Sequence, residues 1–129
     1  MEQYLKNLKH CLQKEIPFCA AECPFHIDIP DFIEKMKRGG FKAAFKTYRN
    51  AVGFPVIASN LCPAPCKGVC PRRETDSAIE LLMLEQACVS FAGDKSPTDY
   101  NLPMKKKKVA VIGAGISGLS CALRLCMKK

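Results

Sequence analysis

Nine cysteines in 129 residues, an odd number, constrain this chain more than any other feature. Secreted scaffolds of that cysteine density carry even sets closed into disulfides. The opening stretch MEQYLKNLKHCLQKE is also too polar for the apolar segment of an export signal. No apolar run approaches the roughly 20 residues of a membrane-spanning helix. The expectation is a cytoplasmic protein, with no membrane role, whose thiols serve metal or redox chemistry.

The order of the thiols narrows that chemistry. Cys11 comes first, then Cys19 and Cys23 with three residues between them and Pro24 directly after, then Cys62, Cys66 and Cys70 at the same spacing. The last three lie on a segment broken by Pro55, Pro63, Pro65 and Pro71, and Cys88, Cys121 and Cys126 stand outside both loops. Thiolates on tight, proline-punctuated turns suit iron–sulfur clusters, which need several soft ligands converging from short loops. Structural zinc is the first alternative, but its usual C-x2-C pair is absent. The same absence argues against a thiol–disulfide enzyme. A third alternative, cysteine as a small buried hydrophobe, suits Cys121 and Cys126 on the last apolar segment and not five thiols crowded into two loops.

Helical periodicity supplies the scaffold. Leu5, Leu8 and Leu12 predict a helix over 2–15, ended by Pro17. Ile29, Phe32, Ile33 and Met36, with Pro30 near the start and Gly39–Gly40 as the stop, predict a second; Phe41, Ala44, Phe45 and Tyr48 predict a third. A fourth is expected from about Ser77 to Ala92, with Asp76 or Ser77 as N-cap and Gly93 as C-cap. Its stripe of Leu81, Glu85, Cys88 and Ala92 puts a carboxylate and a thiol where a core helix normally carries apolar groups.

The net charge of +8 is partly local: Lys105–Lys108 form one run and Lys128–Lys129 another. No aromatic residues interleave with the lysines and no nucleic-acid-binding motif is present, so a solvated linker is expected, with no nucleic-acid partner. A basic surface would help an acidic redox partner dock. His10 and His26 are isolated, and no catalytic acid–base pair or activated nucleophile is evident.

After the lysines, Val109–Ile112 reads as a short strand, followed by Gly113, Ala114, Gly115, Ile116, Ser117 and Gly118 and then an apolar helix from Leu119 to Cys126. Glycines at this spacing between a strand and a helix form the dinucleotide-binding fingerprint: a tight turn, close backbone approach to a pyrophosphate, and phosphate binding at the helix N-terminus. The acidic residue expected about 20 positions further on has no place before the sequence ends. The expectation is a longer protein cut inside its flavin domain, with this stretch alone not active.

In combination, Pro17–Phe18–Cys19, Cys23–Pro24, Ile29–Pro30, Phe54–Pro55, Cys62–Pro63–Ala64–Pro65–Cys66, Cys70, the Ala78–Ile79 to Glu85 helix and the glycine fingerprint resemble a known family. It is the N-terminal helical domain of the NADPH-dependent glutamate synthase small subunit, dihydropyrimidine dehydrogenase and related FAD-dependent oxidoreductases. The resemblance implies a mainly α fold: a helical iron–sulfur domain over 1–93, a linker over 94–107, and the first βα unit of a Rossmann-like FAD domain over 108–129. It implies two [4Fe–4S] clusters with interleaved ligands, Cys11, Cys19 and Cys70 for one and Cys23, Cys62, Cys66 and Glu85 for the other. Gln86 is a weaker candidate than Glu85, which could instead be solvent-facing or salt-bridged.

The family pattern begins C-x2-C, and its second cysteine falls here on Lys14. The first cluster then has three visible thiolates. A three-iron or labile four-iron centre, completion by Cys88 or solvent, or an empty site all remain open. For the whole protein the resemblance implies NAD(P)H as donor, FAD as acceptor, and a redox partner subunit or second catalytic domain downstream. The alternative function is a helical docking or assembly module whose cluster sites are partly lost, empty or zinc-filled.

Overall fold

The computed structural model describes Cys11, residues 17–92, Lys106 and residues 108–127. The expected helix over 2–15, Lys14, His10, the Gly93 cap and most of the 94–107 linker lie outside these residues. The chain divides into two units, Met1–Gly93 and Asp94–Lys129.

The described part of the first unit is helical: α1 (Phe18–Glu22), α2 (Ile29–Lys37), α3 (Phe41–Val52), α4 (Pro55–Leu61) and α5 (Leu81–Ala92). Two 3-10 turns, Pro65–Lys67 and Pro71–Glu74, lie between α4 and α5. The local chemistry of α2 accounts for both its ends. The Asp28 carboxylate accepts from the Asp31 N–H at 3.1 Å, and Pro30 stands in the first turn, where a missing N–H leaves no bond unmade. At the other end Gly39 takes a φ of 73°, which a side chain would resist, and donates to the Met36 carbonyl.

The expected stripe of α2 is buried in full, in one cluster with Ala44, Phe45, Tyr48 and Val52 of α3 and Leu81, Leu84 and Cys88 of α5. Each large apolar side chain in this core contributes about 1.5–3 kcal/mol by leaving water. On the outer side, Lys35 Nζ donates to Asp31 Oδ2 at 2.5 Å and to Thr47 Oγ1 at 2.8 Å, joining α2 to α3. The Lys35 hydrogen bond holds the Asp31 carboxyl below its ordinary value.

Two elements differ from expectation. α4 forms where the prolines read as breakers, because Pro55 occupies its first turn and forfeits no helical bond. α5 begins at Leu81 and not near Ser77, because the groups expected to cap it are used elsewhere. The Asp76 carboxylate accepts from Arg72 Nη2 at 2.5 Å and the Ser77 carbonyl from Arg72 Nε at 3.3 Å. Ala78 and Ile79 are buried in non-helical chain ahead of the helix.

In the second unit α6 spans Ile116–Cys126. The strand expected over Val109–Ile112 is not formed, and the described residues include no strand at all. A strand requires a neighbour to complete its backbone ladder, and Ile112 is instead 99% exposed. Cys121 and Cys126 are exposed, which corrects their reading as buried hydrophobes: α6 buries none of its residues. A Cβ added at Gly118 would stand 2.1 Å from the Gly113 carbonyl oxygen, so the first turn of α6 and the loop before it approach as only glycine permits. No helix among the described residues is long and apolar enough to cross a membrane.

Candidate metal centre

The loops that carry the thiols are positioned by the helices they interrupt. α1 follows Pro17, carries Cys19, and ends at Cys23 in extended conformation. It packs against the Pro65–Lys67 turn, which brings together loops some 40 residues apart in sequence. α4 ends at an extended Cys62, and Ala64 then takes a left-handed conformation, φ 53° and ψ 54°, that starts the turn holding Cys66. The same reversal aims the Ala64 N–H at Cys62 Sγ, 3.4 Å away. Backbone donors directed at cysteine sulfur stabilise the thiolate form that binds metal.

The thiols gather around two hollows. The first is lined by Cys11, Cys19, Cys66 and Cys70, walled by Phe18, Ile33 and Ile79 among other apolar residues, and bordered by Arg72. The second is lined by Cys23, Cys62, Cys66, Glu85 and Tyr48, with Ile27 and Leu81 in its wall. Cys11, Cys19 and Cys70 thus share one hollow, and Cys23, Cys62 and Glu85 the other. Cys66 stands between them, facing both.

Glu85 is 6% exposed, which removes the solvent-facing alternative. Its Oε2 accepts from the Tyr48 hydroxyl at 3.1 Å. Burial lifts its carboxyl to about 7, and the Tyr48 hydrogen bond opposes that rise. Burial also pushes the Cys66 thiol up to about 12, with the nearby Glu85, Cys23 and Cys62 adding to the shift. The Cys19 thiol is raised by burial, then by Cys11 and Cys70. Buried thiols so placed stay protonated until a cation takes the charge, and metal binding would release those protons.

The remaining candidates are otherwise engaged. Gln86 is exposed and donates to the Ser59 carbonyl at 2.9 Å, tying α5 to α4. Cys88 is fully buried, donates to the Phe41 carbonyl at 3.5 Å, and is pushed up to about 12 by burial; it lines neither hollow and does not complete the first thiol set. His26 is exposed and lines neither hollow. Among the described residues no three His, Cys, Asp or Glu side chains are gathered closely enough to hold a single metal ion.

Two lining residues, Tyr48 and Arg72, escaped the sequence reading. Tyr48 falls on the apolar stripe of α3 and reads as core, and no motif singles out Arg72. Nothing in either local pattern distinguishes them.

The candidate donors are therefore thiols from distant loops and one carboxylate from α5, around two apolar-walled hollows. A model of the dihydropyrimidine dehydrogenase domain II family, which carries a 4Fe–4S cluster, matches residues 1–96. The chain belongs to this family. As an iron–sulfur domain of that family it also aligns with subunits of larger oxidoreductases. Over 124 residues it is 32% identical to the NADPH-Fe(3+) oxidoreductase subunit beta of Geobacter sulfurreducens, covering 95% of this chain and 18% of that protein. Over 126 residues it is 29% identical to the glutamate synthase [NADPH] small chain of Bacillus subtilis, covering 89% and 26%. The same small chain in Mycobacterium tuberculosis is 29% identical over 126 residues, covering 96% and 26%. The chain thus spans only 18% to 26% of the length of these relatives.

Proposed function

We propose that this chain is the electron-transfer part of an NAD(P)H-dependent flavin oxidoreductase, with an iron–sulfur cluster in each hollow. The observation that carries the reading is the gathering of six thiols and one buried carboxylate around two hollows, with Cys66 facing both, on a domain whose family carries a 4Fe–4S cluster. A [4Fe–4S] cluster supplies one-electron acceptance and release. The chain's own residues would do the rest. Cys23, Cys62, Cys66 and Glu85 would hold the second cluster, and Cys11, Cys19 and Cys70 the first. The apolar walls would exclude water, and the Ala64 N–H would temper the charge on Cys62.

Gly113, Ala114, Gly115, Ile116, Ser117 and Gly118 would bind the FAD pyrophosphate, as the first turn of a Rossmann-like domain completed by a longer chain. The close approach of Gly118 to Gly113 supports this. NAD(P)H would be the donor to FAD. The names of the relatives, subunits of larger NADPH enzymes, support a partner subunit as the onward acceptor.

Anaerobic reconstitution with iron and sulfide, followed by iron and sulfide counting and EPR of the dithionite-reduced protein, tests the reading. Stoichiometric iron with cluster signals is the expected result. A folded protein that takes up no iron, or only zinc, refutes it and leaves the docking module. Lys14, standing where the family pattern has a cysteine, is the feature that favours that second reading.

A further inference from the structure

We propose that Tyr48 is a positioning residue that fixes Glu85 as the non-thiolate ligand of the second hollow. The inference rests on the cluster reading above and names a residue that no sequence pattern marks. Tyr48 is 1% exposed, lines the same hollow as Glu85, Cys23, Cys62 and Cys66, and donates its hydroxyl proton to Glu85 Oε2 at 3.1 Å. The bond joins α3 to α5 across 37 residues of sequence.

A carboxylate offers two oxygens on a freely turning end, and as a sole non-sulfur ligand it is the member of the set easiest to lose. Engaging Oε2 with the phenol leaves Oε1 as the free donor and restricts rotation of the carboxylate plane. The phenol is itself held, since its ring packs against Phe32 at 6.0 Å between centroids and 47° between planes. Partners of this kind orient metal ligands, and removing one typically weakens binding about 10–100-fold. A donor on the ligand oxygen also draws charge away from iron and so favours the reduced state.

Tyr48→Phe keeps the ring and removes only the donor, and four reconstituted proteins separate the outcomes: wild type, Tyr48→Phe, Glu85→Cys, and the double variant. Two quantities are read, the rate of iron loss to a chelator and the midpoint of the second-hollow EPR signal in a mediated redox titration. Tyr48→Phe is expected to lose that iron on the order of 10-fold faster and to titrate at lower potential, with the signal of the first hollow unmoved. In the Glu85→Cys background, where no carboxylate remains to be held, the same change should alter neither quantity.

A Tyr48→Phe protein that matches wild type in both readouts overturns the proposal. So does an equal effect in the Glu85→Cys background, which would mark Tyr48 as merely structural. A Glu85→Ala variant that keeps the full second cluster would instead overturn the ligand assignment from which the argument starts. Wild-type protein without iron would overturn the relay itself.

Discussion

The two hollows are built from the same kind of thiol loop and differ in what stands behind them. The second backs onto the helical core: α3 and α5 cross behind it, and Tyr48 and Glu85 reach into it from those helices. The first takes its thiols from α1, the turns around Cys66 and Cys70, and Cys11; α2 walls it with Ile29 and Ile33, and a cationic side chain, Arg72, stands at its border. Its sequence also lacks a cysteine at position 14. A candidate ligand carried on a core helix, as Glu85 is, keeps its place before anything binds, whereas thiols carried only on short loops must be ordered by what they bind. The second hollow should therefore fill first and empty last.

The largest expected effect breaks the comparison outright. Cys62→Ala should remove all iron from the second hollow and leave the first occupied, as counted by iron analysis and by loss of one EPR signal. Loss of both, or of neither, would contradict the separation. Lys14→Cys should narrow the difference from the other side: with the C-x2-C pair restored, iron in the first hollow should be released at least ~10-fold more slowly, since a ligand gained outweighs an outer partner.

A smaller effect appears in the iron-free protein. The folded state holds the Glu85 proton up to about pH 7 while the unfolded chain releases it near 4.5, so the folded state binds more protons within that window. Stability should fall as pH rises from 4.5 towards 7 and level off above, by about 3 kcal/mol. Glu85→Gln should abolish that slope in urea titrations at a series of pH values. Cys126→Ser, on an exposed helix face, should change neither iron content nor stability.

What the sequence made legible follows from which forces act locally. α2 and α3 are readable because their apolar residues recur at helical spacing and their ends carry Asp28, Pro30 and Gly39. The start of α5 was not, because Asp76 and Ser77 are engaged by Arg72 four and five residues earlier, a local bond that no cap preference records. The grouping of thiols was available only through family resemblance: nothing in the spacing says that Cys23 faces Cys62 rather than its neighbour Cys19. That depends on α1 lying against the Pro65–Lys67 turn. The expected strand at Val109–Ile112 failed because a strand is a property of a pair.

Cys66 belongs to the wall of both hollows, so the partition between them is one side chain thick. Charge placed in one hollow is then felt in the other with little intervening solvent to screen it. Two occupants could not be charged independently: each unit of charge accepted on one side raises the work of adding the next on the other. A pair of identical groups would thus acquire different affinities for an electron from order of filling alone.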